Sequence, residues 1–162
     1  MPDRISGPGT DLRTMEKATL ITHLNTLLEQ RASSLKAELA TTLEARNSDT
    51  KSSAGDKHEV GRAMVQQELD QLEGRLAAIR SMQQQLARVA VDAVHQQVGF
   101  GSVVTTEQGH YFIAIGLGAI ELAGERCFAI SSASPIGEVL MGRRPGDAIT
   151  FNGKRMTIAS VR

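Results

Sequence analysis

The chain has 162 residues, enough for one domain or two small ones, and its hydrophobic content of 41% is typical of a folded protein. Its 18 lysines and arginines are balanced by 18 aspartates and glutamates, so no net positive charge attracts nucleic-acid phosphates. We therefore expect no sequence-specific DNA binding.

The cysteine content and the hydropathy pattern indicate a compartment. Cys127 is the single cysteine, so it forms no internal disulfide, and the apolar run around it is typical of a buried strand. No segment approaches the roughly 20 apolar residues that span a bilayer, and residues 1–11 lack the apolar segment of a signal peptide. These features predict a cytoplasmic protein with no membrane partner.

The first part of the chain predicts a tail and a long helix. Residues 1–11 hold two prolines and two glycines among mainly polar residues, which predicts a flexible tail. Residues 12–46 contain neither proline nor glycine, and their leucines recur at spacings of three, four and seven, as on one face of a helix. These leucines are Leu20, Leu24, Leu27, Leu28, Leu35, Leu39 and Leu43.

A second helix is predicted after a polar break at residues 47–56. Its apolar residues alternate spacings of four and three, with Gln83 in one slot that the pattern would make apolar. They are Val65, Leu69, Leu72, Leu76, Ile79 and Leu86. The two helices predict an antiparallel coiled-coil hairpin over residues 12–90, with its tip at about 47–57 and arms of about 50 Å. A compact helical bundle is the alternative, but it needs a third or fourth helix, and none follows.

The last part of the chain predicts a β-rich domain over residues 100–162, after a linker at 91–99. All the aromatic residues lie there, and strands are expected near 101–106, 110–116, 119–122, 126–130, 147–151 and 154–161. Asn152-Gly153 predicts a two-residue hairpin turn. Ser134, Pro135 and Gly142 are placed to cap, begin and end one short helix. The fold class is therefore α+β.

The same C-terminal residues resemble the last domain of the GreA/GreB transcription elongation factors. The resemblance covers about forty residues and reads Ala129-Ile130, Ser134-Pro135-Ile136-Gly137, Leu140-Met141-Gly142 and Gly146-Asp147. The whole chain also looks like a short subgroup of Gre-related proteins, whose hairpin tip reads Thr-Lys-Ser-Ser-Ala-Gly-Asp-Lys, as residues 50–57 do here.

This resemblance implies an FKBP-like C-terminal domain that docks at the secondary channel of RNA polymerase while the hairpin enters the channel. The implied docking residues are Ser134, Pro135, Ile136, Gly137, Glu138, Leu140, Gly142, Gly146 and Asp147. The implied tip residues, which approach the polymerase active site, are Asp49, Lys51, Ser52, Ser53, Asp56, Lys57 and Glu59. In the family, tip carboxylates help to hold a second Mg²⁺ and to position the water that cuts backtracked RNA. Here the implied ligands of such a shared Mg²⁺ are Asp49, Asp56 and Glu59.

The tip departs from the usual family pattern, which resembles Asp-Leu-x-Glu-Asn-Ala. Ser52 stands where the glutamate is expected and Ser53 replaces the asparagine, so one carboxylate is missing. The protein is therefore expected to be no enzyme itself and at most a cofactor of cleavage by polymerase. No cofactor is expected to bind stably, and whether cleavage is stimulated stays open.

Several of these residues have simpler explanations. Asp56 and Glu59 have the spacing of a helix-capping box. Asp49 is also read as an ordinary surface aspartate, and Lys51 and Lys57 as solubilising residues. Gly61 would allow close approach of the two arms. The four histidines lack the spacing of a metal site.

Two other functions stay open at this point. An FKBP-like fold also serves peptidyl-prolyl isomerases and chaperones, although the five aromatics here fall mostly at positions that the core itself would use. A structural coiled-coil protein is the other alternative. Because a hairpin satisfies its own apolar stripe, we expect a monomer.

Overall fold

In a computed structural model, the chain is described for residues 16–49 and 55–162, with side chains described for 16–48 and 59–162. The predicted tail at 1–11 and the tip residues Lys51, Ser52 and Ser53 lie outside this part. The fold is α+β, two long helices followed by six strands and one short helix. The elements in chain order are α1 (Lys17–Asp49), α2 (Gly55–Ala87), β1 (Val103–Thr106), β2 (Gly109–Ile113), β3 (Gly118–Leu122), β4 (Glu125–Ile130), α3 (Pro135–Leu140), β5 (Ala148–Phe151) and β6 (Lys154–Val161).

The chain divides into two compact units. One comprises Thr22–Arg88, and the other joins the described residues up to Ile21 with Val89–Arg162. We call them the hairpin unit and the sheet unit. No described helix is long and apolar enough to cross a membrane.

Helices α1 and α2 pair in antiparallel fashion in the hairpin unit. The Gln83 amide donates to Glu29 Oε2 at 3.2 Å, and Arg46 donates to Gln66 Oε1 at 3.2 Å. Between these two contacts, α1 advances from Glu29 to Arg46 and α2 runs back over the same number of residues, from Gln83 to Gln66. The register of the two helices is therefore constant between the contacts. Gln83 is therefore the polar interruption that its heptad slot predicts, but the arms stay in contact there.

The apolar stripe of the hairpin unit is buried at one end and half-buried at the other. Buried positions are Leu24, Leu28, Ala32, Leu69, Leu72, Leu76, Ile79 and Leu86. Leu35, Leu39 and Leu43, further along α1, are half-buried. Near the start of α2, Val60 is 63% exposed and Met64 is 67% exposed. Apolar burial therefore stabilises the hairpin mainly in the half away from the tip.

Both helix ends near the tip differ from the sequence prediction. α1 continues to Asp49 rather than ending at about residue 46, and α2 begins at Gly55. Asp56 therefore lies inside the helix, so its prediction as the N-cap of a capping box is wrong. An acidic residue in the first turn still suits the positive end of the helix dipole.

Nothing in the described part of the chain supports the explanation of Gly61 by close approach of the arms. Gly61 is exposed, and a Cβ added there would meet no atom of the described residues within 4 Å outside its own stretch of helix. The same holds for Gly74. Packing among the described residues therefore requires neither glycine, and each is a weak point of α2.

The six strands form one mixed sheet in the order β3-β4-β2-β1-β6-β5. Most neighbours are antiparallel, whereas β2 and β4 pair in parallel, with Tyr111 opposite Phe128 and Ile113 opposite Ile130. The rings of Tyr111 and Phe128 stack with their centroids 5.2 Å apart. The six predicted strands are all present, with ends shifted by three residues at most.

Two turns of the sheet carry consecutive residues at positive φ. Asn152 (φ 50) and Gly153 (φ 74) join β5 to β6, which confirms the hairpin predicted there. Ala123 (φ 54) and Gly124 (φ 79) join β3 to β4 in the same manner. Alanine gives no signal for a turn of this kind, so the sequence pattern did not predict it.

One core cluster fills the sheet unit and includes a residue from the short helix. Leu140 of α3 is fully buried beside residues of the strands. The other members are Val98, Val104, Tyr111, Ile113, Ile130, Ile149, Met156, Ile158 and Val161. α3 is therefore fixed to the sheet by burial of its own side chain.

Candidate functional site

The short helix α3 begins with a complete cap. Ser134 Oγ accepts from Gly137 N at 3.1 Å and donates to Ser131 O at 2.7 Å. Pro135 follows as the first helical residue, where its missing N–H costs no hydrogen bond. The predicted helix over residues 134–142 is confirmed, with helical residues Pro135–Leu140 and Met141 as its C-cap.

Gly137 is required because the chain folds back tightly on itself before α3. A Cβ at this position would lie 2.1 Å from Ser131 O and 3.0 Å from Ser132 O. No side chain fits there without moving the backbone. Ser134 and Gly137, both implied docking residues, therefore have a structural role that accounts for them without a partner.

The remaining side chains of α3 divide between the core and the solvent. Leu140 is fully buried, and Ile136 and Val139 are partly buried against the same core cluster. Glu138 is exposed, and Met141 is 39% exposed. Of the implied docking residues on the helix, Pro135 and Glu138 are thus the ones that present exposed side chains.

The segment after α3 is a tight turn held by backbone bonds. Gly142 (φ 77) donates from N to Val98 O at 2.8 Å, and Gly146 (φ 92) donates from N to Ile158 O at 2.7 Å. Asp147 Oδ2 accepts from Arg144 N at 2.8 Å. Gly142, Gly146 and Asp147 therefore shape the turn.

This turn exposes two arginines that the sequence reasoning missed. Arg143 and Arg144 are both exposed, and Arg143 Nε donates to Val139 O at 3.3 Å. Their adjacency just after Gly142 is the signal that could have identified them. We define the docking face as Pro135, Glu138, Met141, Arg143 and Arg144, five exposed residues of the segment 135–144 with charges of both signs.

The tip residues are only partly described. Asp49 is the last residue of α1, and Asp56 and Lys57 lie in the first turn of α2. Glu59 follows on α2 with an exposed side chain. Among the described residues, no three His, Cys, Asp or Glu side chains come together as a metal site would require. Glu59 alone of the three implied Mg²⁺ ligands has a described side chain, so the arrangement of the three carboxylates stays a prediction.

A buried chain of hydrogen bonds in the sheet unit has the composition of a catalytic triad. His110 Nδ1 lies 3.0 Å from Thr105 Oγ1, and His110 Nε2 lies 2.5 Å from Glu125 Oε2. Thr105 and His110 are buried, so no substrate reaches the hydroxyl. The chain links β1, β2 and β4 and satisfies a histidine in the core.

Comparison with solved structures finds chains that are similar to this one. The transcription factor Gfh1 matches with a TM-score of 0.33 and 21% identity, over 84% of this chain and 91% of its own. No protein-family profile and no curated protein matches the sequence.

Proposed function

We propose that the protein is a transcription regulator of the Gre type that binds RNA polymerase and acts through the secondary channel. One observation carries the proposal. The chain joins two antiparallel helices of 33 residues each to a sheet unit whose capped helix α3 carries the Ser-Pro-Ile-Gly motif. Each helix is about 50 Å long, so a hairpin of two such helices holds its tip far from its base.

In this proposal the two units have different roles. The sheet unit, for which we propose an FKBP-like fold, binds the rim of the channel through the docking face. The hairpin unit brings Asp49, Lys51, Asp56, Lys57 and Glu59 toward the polymerase active site. Binding by the docking face rests on a rigid element, because Leu140 and the Ser134 cap hold α3 in place.

We propose that the protein has no catalytic site of its own. A Mg²⁺ shared with polymerase at Asp49, Asp56 and Glu59 is a separate proposal, and no step of polymerase binding depends on that metal. When bound, the ion would supply the two-metal chemistry of the polymerase. This chain would contribute only ligands.

A charge-changing variant of the docking face tests the proposal. Ile136 is unsuitable for this purpose because it packs against the core. Glu138→Lys combined with Met141→Glu changes two exposed residues and raises the net charge by one. We expect its affinity for purified core RNA polymerase, measured by biolayer interferometry, to be at least about tenfold below wild type, or about 1.4 kcal/mol. Circular dichroism should be unchanged.

A matched control lies on β3, where Ala119 and Glu121 are both exposed. Ala119→Glu with Glu121→Lys introduces the same pair of side chains on another part of the sheet unit, and polymerase binding should stay at the wild-type level. Absence of binding by the wild type would contradict the proposed function. Equal binding by wild type and docking variant would contradict only the docking face.

The alternative functions predict different measurements. A structural coiled-coil protein would sediment as an oligomer without polymerase, whereas we expect a monomer. An isomerase would accelerate cis–trans exchange in a proline peptide, and we expect no acceleration above the uncatalysed rate.

A further inference from the structure

The hairpin unit has an open groove between its two helices, far along the chain from the tip. Its volume is about 570 Å³, and its apolar residues come from both helices: Leu27, Leu35, Ala78, Ile79 and Met82. Ile79 is buried, whereas Leu27, Leu35 and Met82 are half-buried, so apolar surface stays accessible to a ligand. Arg31 of α1 and Arg75 of α2 are exposed and also line the groove. We call it the arginine groove.

Both guanidinium groups of this groove are available. Within the described part of the chain, neither Arg31 nor Arg75 has a hydrogen bond or ion pair. The groove is lined by no acidic residue, and its other polar residues are Gln30 and Ser34. An arginine held beside apolar surface attracts a carboxylate more strongly than one surrounded by water.

A second groove of the hairpin unit differs in chemistry. It is about 570 Å³ in volume and is lined by Thr22, Asn25, Thr26, Glu29, Gln30 and Gln83. Its one charged residue, Glu29, already accepts a hydrogen bond from Gln83. Of these two grooves, only the arginine groove is lined by apolar side chains and by positively charged ones.

The spacing of the lining residues indicates the shape of a ligand. Leu27, Arg31 and Leu35 follow at intervals of four on α1, so they mark a strip of about 12 Å, or two helical turns. An amphipathic helix lying in such a groove places apolar residues on the floor and charged residues at its flanks. A nucleic-acid strand would bind through aromatic stacking, and the groove contains no aromatic residue.

We propose that the arginine groove binds an acidic amphipathic α-helix of a protein partner. About two turns of that helix cover the apolar floor, and its Asp or Glu side chains pair with Arg31 and Arg75. This site goes beyond polymerase docking by the sheet unit, because it lies on the hairpin and is defined by its own ligand chemistry.

Two designed helical peptides with the same apolar stripe test the proposal, one flanked by glutamates and one by lysines. Binding to the whole chain is followed by fluorescence anisotropy. We expect the glutamate peptide to bind at least about tenfold more tightly than the lysine peptide, a preference that weakens at high salt. The double variant Arg31→Glu, Arg75→Glu should reverse this preference.

Lys36 and Arg80 provide the matched control. Both are exposed on the same two helices and neither lines the groove. Lys36→Glu with Arg80→Glu makes the same change in charge, and we expect the glutamate peptide to stay preferred. If the charge reversal at the groove impairs folding, as seen by circular dichroism, Arg31→Gln with Arg75→Gln should abolish the preference instead.

Three results would overturn the proposal. One is that neither peptide binds, or that both bind equally. A second is that the control variant loses the preference as fully as the groove variant. The third is that single-stranded oligouridine binds more tightly than the glutamate peptide and depends on Arg31 and Arg75, which would assign the groove to nucleic acid. None of these results depends on polymerase, so the proposed function is tested separately.

Discussion

At the scale of single residues, the two hairpin turns of the sheet differ in how well their residues suit the backbone. Asn152-Gly153 carries the pair that a turn with two positive φ values favours, whereas Ala123-Gly124 places a Cβ in the left-handed region. For a residue with a Cβ other than asparagine or aspartate, this conformation costs roughly 1 kcal/mol. Strain of this kind is visible only in the structure, because alanine fits most predicted elements.

Ala123→Asn should therefore stabilise the protein. We expect the free energy of unfolding to rise by about 0.5–1 kcal/mol, because asparagine tolerates the left-handed conformation. The reciprocal change, Asn152→Ala, should lower it by a similar amount. Urea denaturation measures both, and a loss of stability in Ala123→Asn would show that the turn is not strained by its alanine.

Cys127 gives a second prediction at this scale. Burial raises the pKa of its thiol from 9.0 to about 12, so the folded protein holds the neutral, unreactive form at neutral pH. A thiol-reactive dye at pH 8 should label the native protein far more slowly than the unfolded chain.

The same shift predicts the direction of a pH dependence. Because the folded pKa lies above the unfolded one, the contribution of Cys127 to stability is fully present below about pH 9. It is lost as the pH rises toward 12. Cys127→Ala should show a weaker alkaline loss in urea titrations. An equally steep loss in that variant would assign the effect to other groups.

At the scale of elements, the two helices show what periodicity predicts and what it does not. The leucine spacing predicts two long helices, and both are found with 33 residues each. It does not predict that Leu35, Leu39 and Leu43 are only half-buried, because burial depends on how closely the facing helix approaches. The helix ends near the tip differ from the predicted ends because polar residues can extend a helix, and such residues add nothing to the apolar pattern.

Gly61 and Gly74 provide the prediction for this scale. Alanine should be accommodated at either site because no atom of the described residues outside the local helix lies within 4 Å of the added Cβ. We expect each of Gly61→Ala and Gly74→Ala to raise the stability of the helical hairpin by about 1 kcal/mol. The measurement is the thermal midpoint followed at the helical circular dichroism band.

Gly137→Ala is the contrasting control for these two glycines. Its Cβ would meet Ser131 O at 2.1 Å, so this variant should lose about 1–3 kcal/mol or more. If alanine at Gly61 or Gly74 also destabilises the protein, a contact with the undescribed part of the chain would be the explanation to test.

At the scale of the whole molecule, the sequence predicts the order of the elements but not their pairing. Alternating apolar residues and glycines locate all six strands. The parallel contact of β2 with β4 is not predicted, because pairing across an intervening strand leaves no local pattern. Of the proposed docking face, the motif gives Pro135 and Glu138, and the fold adds Met141, Arg143 and Arg144 as exposed neighbours.

Separation of binding from chemistry is the prediction for the whole molecule. Changing Asp49, Asp56 and Glu59 together to alanine should leave polymerase binding intact, because the docking face lies in the other unit. We expect the wild type to bind polymerase and to stimulate little or no RNA cleavage, since Ser52 stands where a glutamate is expected. The triple variant should abolish any residual cleavage.

A cleavage assay on a stalled elongation complex provides the measurement, with an ordinary Gre factor as the positive control. Cleavage by the wild type at the level of that control would contradict the expectation. If the three carboxylates serve only the helix ends, the triple variant should lose about 1–2 kcal/mol of stability and change no polymerase activity.

The position of β6 has a consequence for synthesis of the chain. β6 lies inside the sheet between β1 and β5, yet every other strand precedes it in the sequence. While the ribosome is still making residues 154–161, β1 therefore lacks one of its two neighbours and presents an unpaired edge. The hairpin unit has no such delay, because its helices are complete before the first strand is made, and local helical contacts form fast. We therefore expect the nascent protein to carry a folded hairpin and an unfinished sheet, the state in which chaperones would recognise it.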